Sequence, residues 1–315
     1  MLPQEARNLT DRVLKNVEKV IVSKRETITL VLAAVLASGH ILVEDVPGVG
    51  KTMLCRSLAR SFDCDFQRIQ FTPDLLPSDI LGLSVFNLKT QQFEFKSGPI
   101  FTNFLLADEI NRATPKTQSA LLEAMGERQV TIDGVTYPLE EPFVVMATQN
   151  PIEYEGTFPL PEAQLDRFLI KLRIGYPEEP YEQEMLKRLK GTHPISSLGA
   201  VANKEELLEA QKCAREVFVD ETIYQYIVSL VTATRKDESV YLGASPRGSI
   251  ALLHLSQALA IMQGRTYVVP DDVKMGAPYA LPHRILLKTE ARLRGETSES
   301  LITKILNTVP LNIRA

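Results

Sequence analysis

One short segment of the sequence has the residue types of a phosphate-binding loop. It follows a short apolar run, Ile41–Glu44, and precedes apolar residues at helical spacing. Glycines in such a loop let consecutive N–H groups turn inward, and the helix N-terminus adds partial positive charge. Lysine in this position reaches the outer phosphates and threonine ligates Mg²⁺. The predicted contacts are Val46, Pro47, Gly48, Val49, Gly50, Lys51, Thr52 and Met53.

The first position of this loop departs from the strict pattern. Glycine is usual there, and this chain has Asp45. An ordinary glycine turn before a helix is therefore an alternative interpretation. The intact Gly50-Lys51-Thr52 and the correct flanking segments favour phosphate binding.

Two adjacent carboxylates, Asp108 and Glu109, end the apolar run that starts at Phe104. A carboxylate at the end of a buried strand beside a phosphate loop holds Mg²⁺, directly or through water. Its neighbour can orient and polarise an attacking water. We therefore predict Thr52 and Asp108 as metal ligands and Glu109 as a catalytic residue. A solvated acidic strand end is the alternative. It is disfavoured because Lys51 and Thr52 lie upstream.

These residues need a parallel sheet to bring them together. Apolar strands are predicted at residues 41–44, 66–71, 104–109, 143–148 and 169–174, with helices between most of them. Alternating strands and helices indicate an α/β fold whose ligand site lies at the carboxyl ends of the strands. Asn150 follows the fourth of these strands, so it is expected at the same edge.

Two hairpins and several helices complete the first domain, residues 1–176. Residues 5–38 are predicted to form two helices, the first of which packs either on a neighbour or on its own core. Hairpins are predicted at residues 84–95 and around Asp133-Gly134, a strong turn signal. They either extend the sheet or engage another protein. Ser78 and Thr114 are predicted helix N-caps, the latter followed by Pro115.

The segment Tyr176–Pro180 reads as a linker to a second domain, residues 177–315. No strand is predicted beyond it, so this smaller domain is expected to be all-helical. The predicted helices span residues 181–190, 204–217, 221–235, 246–263, 270–280 and 298–306.

Composition restricts the classes of function. The chain has 315 residues, 44% of them apolar, and a net charge of −4, so no basic field draws it to nucleic acid or anionic membranes. No apolar run is long enough to span a bilayer, and the N-terminus lacks the order of a signal peptide. Three scattered cysteines suggest reduced thiols, and four scattered histidines suggest structural or surface roles. A cytoplasmic protein is expected.

The combined motifs resemble those of the MoxR family of AAA+ ATPases, from about residue 5 to the end. They are the phosphate loop, Asp108–Ala113, Ala147–Pro151, Leu160–Phe168 and Gly243–Arg247. The resemblance implies a P-loop AAA+ core with a parallel sheet, a small helical lid and Mg²⁺-dependent ATP hydrolysis. It also implies a ring of identical chains, expected to be a hexamer.

The same resemblance assigns roles to three further residues. Asn150 resembles sensor 1, an amide that holds the lytic water or reports on the γ-phosphate; a strand-ending cap is the alternative. Arg167 resembles the arginine finger supplied by the adjacent subunit. A surface salt bridge with Asp166 or Glu162 is the alternative for that arginine.

Arg247 resembles sensor 2, one residue into a helix capped by Ser245 and begun by Pro246. From the lid it is expected to contact phosphate and close over the same nucleotide. A first-turn arginine in water is disfavoured, because that end of a helix repels cations. Arg112 is a weaker candidate for an interface or phosphate contact.

The implied output is chaperone-like remodelling or maturation of a protein client, in association with von Willebrand A-domain proteins. Hydrolysis would move the two domains relative to each other across Tyr176–Pro180. Two alternatives stay open at this point. One is a magnesium-chelatase-like or nucleic-acid motor with the same core, and the other is a scaffold in which ATP only controls assembly. Nucleic-acid binding is not expected, since no basic stripe is present.

Overall fold

A computed structural model describes residues 1–151, 156–188 and 194–311. Its strands alternate with helices in the first half of the chain, as the sequence predicts. The strands are β1 Ile41–Glu44, β2 Phe66–Gln70, β3 Gly82–Asn87, β4 Gln92–Ser97, β5 Phe104–Asp108, β6 Gln129–Ile132, β7 Val135–Pro138, β8 Val144–Gln149, β9 Ile170–Leu172, β10 Val240–Leu242 and β11 Leu286–Leu287.

Helices cover both faces of the central sheet and form most of the second domain. They are α1 Pro3–Val17, α2 Arg25–Leu36, α3 Lys51–Ser61, α4 Pro77–Leu81, α5 Pro115–Glu127, α6 Glu162–Leu165, α7 Glu179–Arg188, α8 Lys204–Arg215, α9 Glu221–Lys236, α10 Pro246–Met262, α11 Pro270–Ala280, α12 Thr289–Leu293 and α13 Ser298–Thr308. No described helix is long and apolar enough to cross a membrane.

The central sheet is parallel, with the strand order β2-β5-β8-β1-β9. Its register aligns the carboxyl ends of the strands: Gln70 lies opposite Asp108, and Glu44 lies opposite Gln149. The inner strands are almost entirely buried, which explains their continuous apolar sequence. The polar residues at the strand ends therefore meet at one edge, as predicted.

Two apolar clusters lie on opposite faces of the sheet. The larger one contains residues of α1, α2 and α3 and continues into the second domain through α8, α10 and α11. Helix α1 packs against α3, α8 and α10, so the N-terminal helices lie on their own chain. One continuous core thus joins the sheet to the second domain.

Both predicted hairpins are present. β3 pairs with β4 and β6 pairs with β7, each antiparallel. Asp133 and Gly134 both have positive φ, at 51° and 80°, as the tight Asp-Gly turn requires. The ring of Phe95 stacks on Tyr137 with centroids 4.1 Å apart, so the two hairpins support each other.

Several local predictions were wrong or fall outside the described residues. Leu76, not Ser78, is the N-cap of α4, because Pro77 takes the first helical position and Asp79 accepts the Leu76 N–H. The second domain is not all-helical, since β10 and β11 form a short antiparallel ribbon. Thr114 is the N-cap of α5, as predicted, but its hydroxyl lies by Thr117 Oγ1 and caps no backbone N–H. The end of the helix predicted at 181–190 and His193 lie outside the described residues.

Candidate active site

The phosphate loop curls at two glycines between β1 and α3. Gly48 and Gly50 have φ of 87° and 91°, in the left-handed region that favours glycine, and α3 begins at Lys51. Gly50 is the N-cap of α3. The loop therefore presents a helix N-terminus and its free N–H groups to the carboxyl edge of the sheet.

Lys51 lies folded over this loop. Its Nζ donates to the main-chain oxygen of Asp45 at 2.7 Å, and the residue is buried. Burial lowers the pKa of Lys51, while the charges of Asp108, Asp45 and Glu109 act in the opposite direction. The ammonium group is thus held close to the loop and surrounded by carboxylates, where a phosphate oxygen is a strong competing acceptor.

Asp108 ends β5 with both carboxylate oxygens engaged. Its Oδ1 accepts from Thr148 Oγ1 at 2.6 Å, and its Oδ2 accepts from Arg68 Nη2 at 2.7 Å and Nε at 3.1 Å. Thr148 comes from β8 and Arg68 from β2, the two strands that flank β5. Both neighbours of Asp108 in the sheet therefore orient its carboxylate.

Glu109 has an unusual backbone conformation for a non-glycine residue, with φ of 57°. Its N–H donates to Thr148 Oγ1 at 2.8 Å. Its Oε2 accepts from Gln70 Nε2 at 2.7 Å and from Arg112 Nη1 at 3.0 Å. Such strained positions are enriched at functional sites, and here the strain turns the carboxylate away from the strand toward β2.

These residues line one cleft. Its volume is about 340 Å³, and it contains Asn150, which is buried, with the loop, both carboxylates and Arg68. An apolar pocket of about 310 Å³ adjoins it and shares Pro47, Gly48, Gly50 and Met53. Val49 lines this second pocket only. Val46 lines neither space; its N–H donates to Asp45 Oδ1.

The oxygen atoms in the cleft suit a magnesium ion. Thr52 and Asp108 both line it, and a hydroxyl and a carboxylate are ligands that Mg²⁺ accepts when phosphates and water complete its shell. Thr148 fixes the orientation of the carboxylate, as supporting hydrogen bonds do in metal sites. Arg68 now occupies Oδ2 of Asp108, so a cation bound there would replace it. The described residues contain no group of three or more His, Cys, Asp or Glu side chains placed close enough together to hold a metal ion by themselves.

Arg167 and Arg247 lie in a different cleft. Its volume is about 360 Å³, and it shares no lining residue with the phosphate cleft. Arg167 Nη1 donates to the Leu122 carbonyl at 2.8 Å, and the guanidinium crosses close over Gly126, leaving no room for a Cβ there. Three more arginines line this space, against the carboxylates of Asp166 and Glu127; they are Arg128, Arg215 and Arg284. The cleft is therefore strongly cationic.

Within one chain, Arg247 is not in the phosphate cleft. It stands exposed in the first turn of α10, where Ser245 Oγ accepts its N–H at 3.1 Å, so the predicted cap is confirmed.

A buried ion pair joins the segment that carries Arg167 to the second domain. Asp166 does not pair with Arg167; its Oδ1 accepts from Arg284 Nε at 2.7 Å, and its Oδ2 accepts from Ser245 Oγ at 2.8 Å. Arg284 also donates to the carbonyl of Phe168 at 2.6 Å, and its side chain is 3% exposed. The segments that carry Arg167 and Arg247 are therefore held together by hydrogen bonds.

Three histidines near this cleft are kept neutral. Burial, then the charge of Arg128, lowers the pKa of His40 to about 3; burial and Arg215 lower that of His254 to about 4. Burial and Arg284 place the pKa of His283 well below its usual range. His40 Nδ1 accepts the Val145 N–H at 3.0 Å, so its proton is on Nε2, facing the Met125 carbonyl.

We expect acid to destabilise the fold through these histidines. Their stabilising contribution is complete above pH 6.5, the unfolded value, and is lost as pH falls, because only the unfolded chain takes up the protons. Through His40 alone, the free energy of unfolding should fall by roughly 1 kcal/mol for each pH unit below 6.5. Urea unfolding of wild type and His40→Gln between pH 7 and 5 measures this. Equal slopes in the two proteins would contradict it.

Several residues of the site were not predicted from the sequence. Arg68 and Gln70 hold the two carboxylates, yet neither belongs to a motif that we recognised. Thr148 supports both carboxylates; it lies within the recognised segment Ala147–Pro151, but no role was predicted for it. The alternating polar residues of β2, which ends at the same sheet edge, are the signal that could have found Arg68 and Gln70. No sequence pattern pointed to Arg284, because its partner Asp166 lies 118 residues away.

Sequence comparisons identify relatives along almost the whole chain. The profile of the "ATPase family associated with various cellular activities (AAA)" matches residues 40–170, and that of the AAA lid domain matches residues 232–305. The uncharacterized protein YeaC of Bacillus subtilis is 53% identical over 97% of this chain and 96% of its own. Chaperone MoxR1 of Mycobacterium tuberculosis is 43% identical over 96% of this chain and 82% of its own.

A solved structure has the same fold. A crystal structure of a Cytophaga hutchinsonii protein superposes with a TM-score of 0.92 at 42% identity, and the match covers 99% of this chain and 97% of that one. The phosphate cleft falls within the matched ATPase profile, and Arg247 and Arg284 fall within the matched lid profile.

Proposed function

Because this chain belongs to the MoxR family of AAA+ ATPases, we propose that it works as a Mg²⁺-dependent ring. In this ring, one protomer binds ATP in its phosphate loop, and the next protomer supplies an arginine that hydrolysis requires. The protein hydrolyses ATP, as its family does. The proposal concerns how the site is completed and what the hydrolysis is used for.

The observation that carries the proposal is the separation of the two clefts. Phosphoryl transfer is faster when a cation neutralises the charge developing on the transferred group. The phosphate cleft and the arginine cleft share no lining residue within one chain. A neighbouring chain that inserts Arg167 and Arg247 opposite Lys51 would supply that cation. The first-turn position of Arg247 favours this, since an anion there relieves its repulsion from the helix N-terminus.

Each residue of the phosphate cleft then has a role. The loop N–H groups and Lys51 bind the outer phosphates, with the Lys51 ammonium leaving the Asp45 carbonyl for a phosphate oxygen. Thr52 and Asp108 would hold Mg²⁺, which would neutralise negative charge on the phosphates. Glu109 polarises the attacking water once it turns from Gln70 and Arg112, and Asn150 positions that water. The adjoining apolar pocket would receive the adenine base.

We propose protein remodelling as the output. One relative is named a chaperone, and the exposed hairpin side chains Leu88 and Phe93, 85% and 73% exposed, offer apolar surface to a protein client. Von Willebrand A-domain proteins are the proposed associates, the proposed ring is a hexamer, and the proposed compartment is the cytoplasm. The three cysteines are free thiols, which agrees with a reducing environment.

Assembly gives the direct test. We expect Glu109→Gln with ATP and Mg²⁺ to form particles of six times the chain mass of 35.2 kDa, because hydrolysis no longer releases the bridging nucleotide. Wild-type turnover per protomer should rise with protein concentration, since the site needs two chains. Mass photometry and a coupled ATPase assay measure both. A monomer at every concentration, with constant turnover per protomer, would refute the ring.

A further inference from the structure

The aspartate at the first loop position carries contacts that a glycine could not make. Asp45 is buried, with 7% of its surface exposed. Its Oδ2 accepts from the N–H groups of Ile174 at 2.7 Å and Gly175 at 2.6 Å, and its Oδ1 accepts from Val46 N–H at 2.9 Å. One carboxylate thus binds the phosphate loop on one side and the chain after β9 on the other.

The segment held by Asp45 forms a wall of the apolar pocket. Gly175 has a φ of 68°, so the chain turns there, and Gly175, Tyr176 and Pro177 line the pocket beside the loop between α1 and α2, whose Lys24 Nζ donates to the Tyr176 carbonyl at 2.9 Å. The phosphate loop lines the same pocket through Val49 and Met53. The carboxylate therefore fixes the distance between the phosphate loop and the pocket wall formed by residues 175–177, which we call the linker wall.

The negative charge of Asp45 is electrostatically unfavourable in a loop that binds phosphate. A buried negative charge repels the triphosphate, and Asp45 is close enough to Lys51 to affect its ionisation. A glycine would avoid that repulsion. The three backbone N–H groups offset it, because hydrogen bonds to a charged acceptor are among the strongest in proteins.

We propose that Asp45 is a positioning residue that makes this site selective for a nucleoside triphosphate over bare triphosphate. It aligns the linker wall with the phosphate loop so that base and phosphates bind together. This inference rests on the proposed function only in assigning the apolar pocket to the base. Without the carboxylate, the linker wall moves independently and the contribution of the base to binding is lost.

The test compares ATP with inorganic tripolyphosphate. In wild type, ATP should bind more tightly. In Asp45→Gly, the Kd for ATP should rise about tenfold, whereas tripolyphosphate should bind equally well or better, because a repelling charge is removed. Asp45→Asn should shift the ratio in the same direction. Isothermal titration of both ligands measures the two constants of each protein.

Glu44→Gln is the matched control. Glu44 is the preceding residue and also joins β1 to the β9 side, but through Lys171 and Arg173 at 3.0 and 3.1 Å, not through the linker backbone. Its ligand ratio should equal that of wild type. Hydrogen exchange should become faster at Ile174 and Gly175 in both Asp45 variants and stay unchanged in Glu44→Gln. This second readout decides the matter if Asp45→Gly does not fold.

For the inference to stand, ATP affinity must fall, and fall more than tripolyphosphate affinity. An equal loss for both ligands would make Asp45 a purely structural part of the loop and overturn the inference, as would unchanged ATP affinity. Failure of wild type to bind ATP at all would instead refute the proposed function. The two failures are therefore distinguishable in one experiment.

Discussion

Glu109→Gln is expected to lower ATP turnover by about 10² to 10⁴-fold, the usual contribution of a general base, without loss of ATP affinity. The amide keeps the size of the side chain but cannot polarise the attacking water. Binding should persist because Glu109 bonds to Gln70 and Arg112, and not to the phosphate loop. A coupled assay measures turnover, and a fluorescent ATP analogue measures affinity.

The control for this variant is Glu123→Gln. Glu123 is exposed on α5 and lines neither cleft, so both turnover and affinity should match wild type. If Glu109→Gln turned over ATP at the wild-type rate, Glu109 would have no part in the mechanism. If it lost ATP affinity as well, its role would be in holding the site together.

Arg167→Ala is expected to lower turnover by about 10³ to 10⁵-fold, the range for an arginine finger, with nucleotide affinity retained. Mixing it with Lys51→Ala should restore activity. The intact phosphate loop of an Arg167→Ala chain can then face the intact Arg167 of a Lys51→Ala chain. With equal amounts and random mixing, about one quarter of the head-to-tail interfaces combine an intact loop with an intact finger. The ATPase rate across mixing ratios should pass through a maximum.

Two further mixtures make this result specific. Lys51→Ala with Glu109→Gln should not recover, because both defects lie on the loop side of the interface. Arg247→Ala should recover with Lys51→Ala, since Arg247 shares a cleft with Arg167. An inactive mixture of Arg167→Ala and Lys51→Ala at every ratio would show that Arg167 does not act between chains.

Local sequence was enough to predict the sheet and most of one site. Apolar runs ending in Asp108 and before Asn150 identify strands, and the parallel register then gathers their ends. Asp133-Gly134 and Pro246 also determine structure within a few residues, so the turn and the helix start were predicted correctly.

Interactions distant in sequence could not be predicted. Arg68 reaches Asp108 across 40 residues, and Arg284 reaches Asp166 across 118. The ribbon of β10 and β11 was missed because strands of three and two residues have no readable periodicity. The sequence showed Asp45 only as a departure from a motif, since the donors to its carboxylate are backbone N–H groups that no pattern of side chains reveals.

The buried pair between Asp166 and Arg284 has a consequence for how such chains can diverge. Losing either partner alone leaves an uncompensated charge, at a cost of about 3–5 kcal/mol. Replacing both with apolar residues of similar volume is far less harmful. We therefore expect the two positions to change together: a descendant that loses one partner also loses the other.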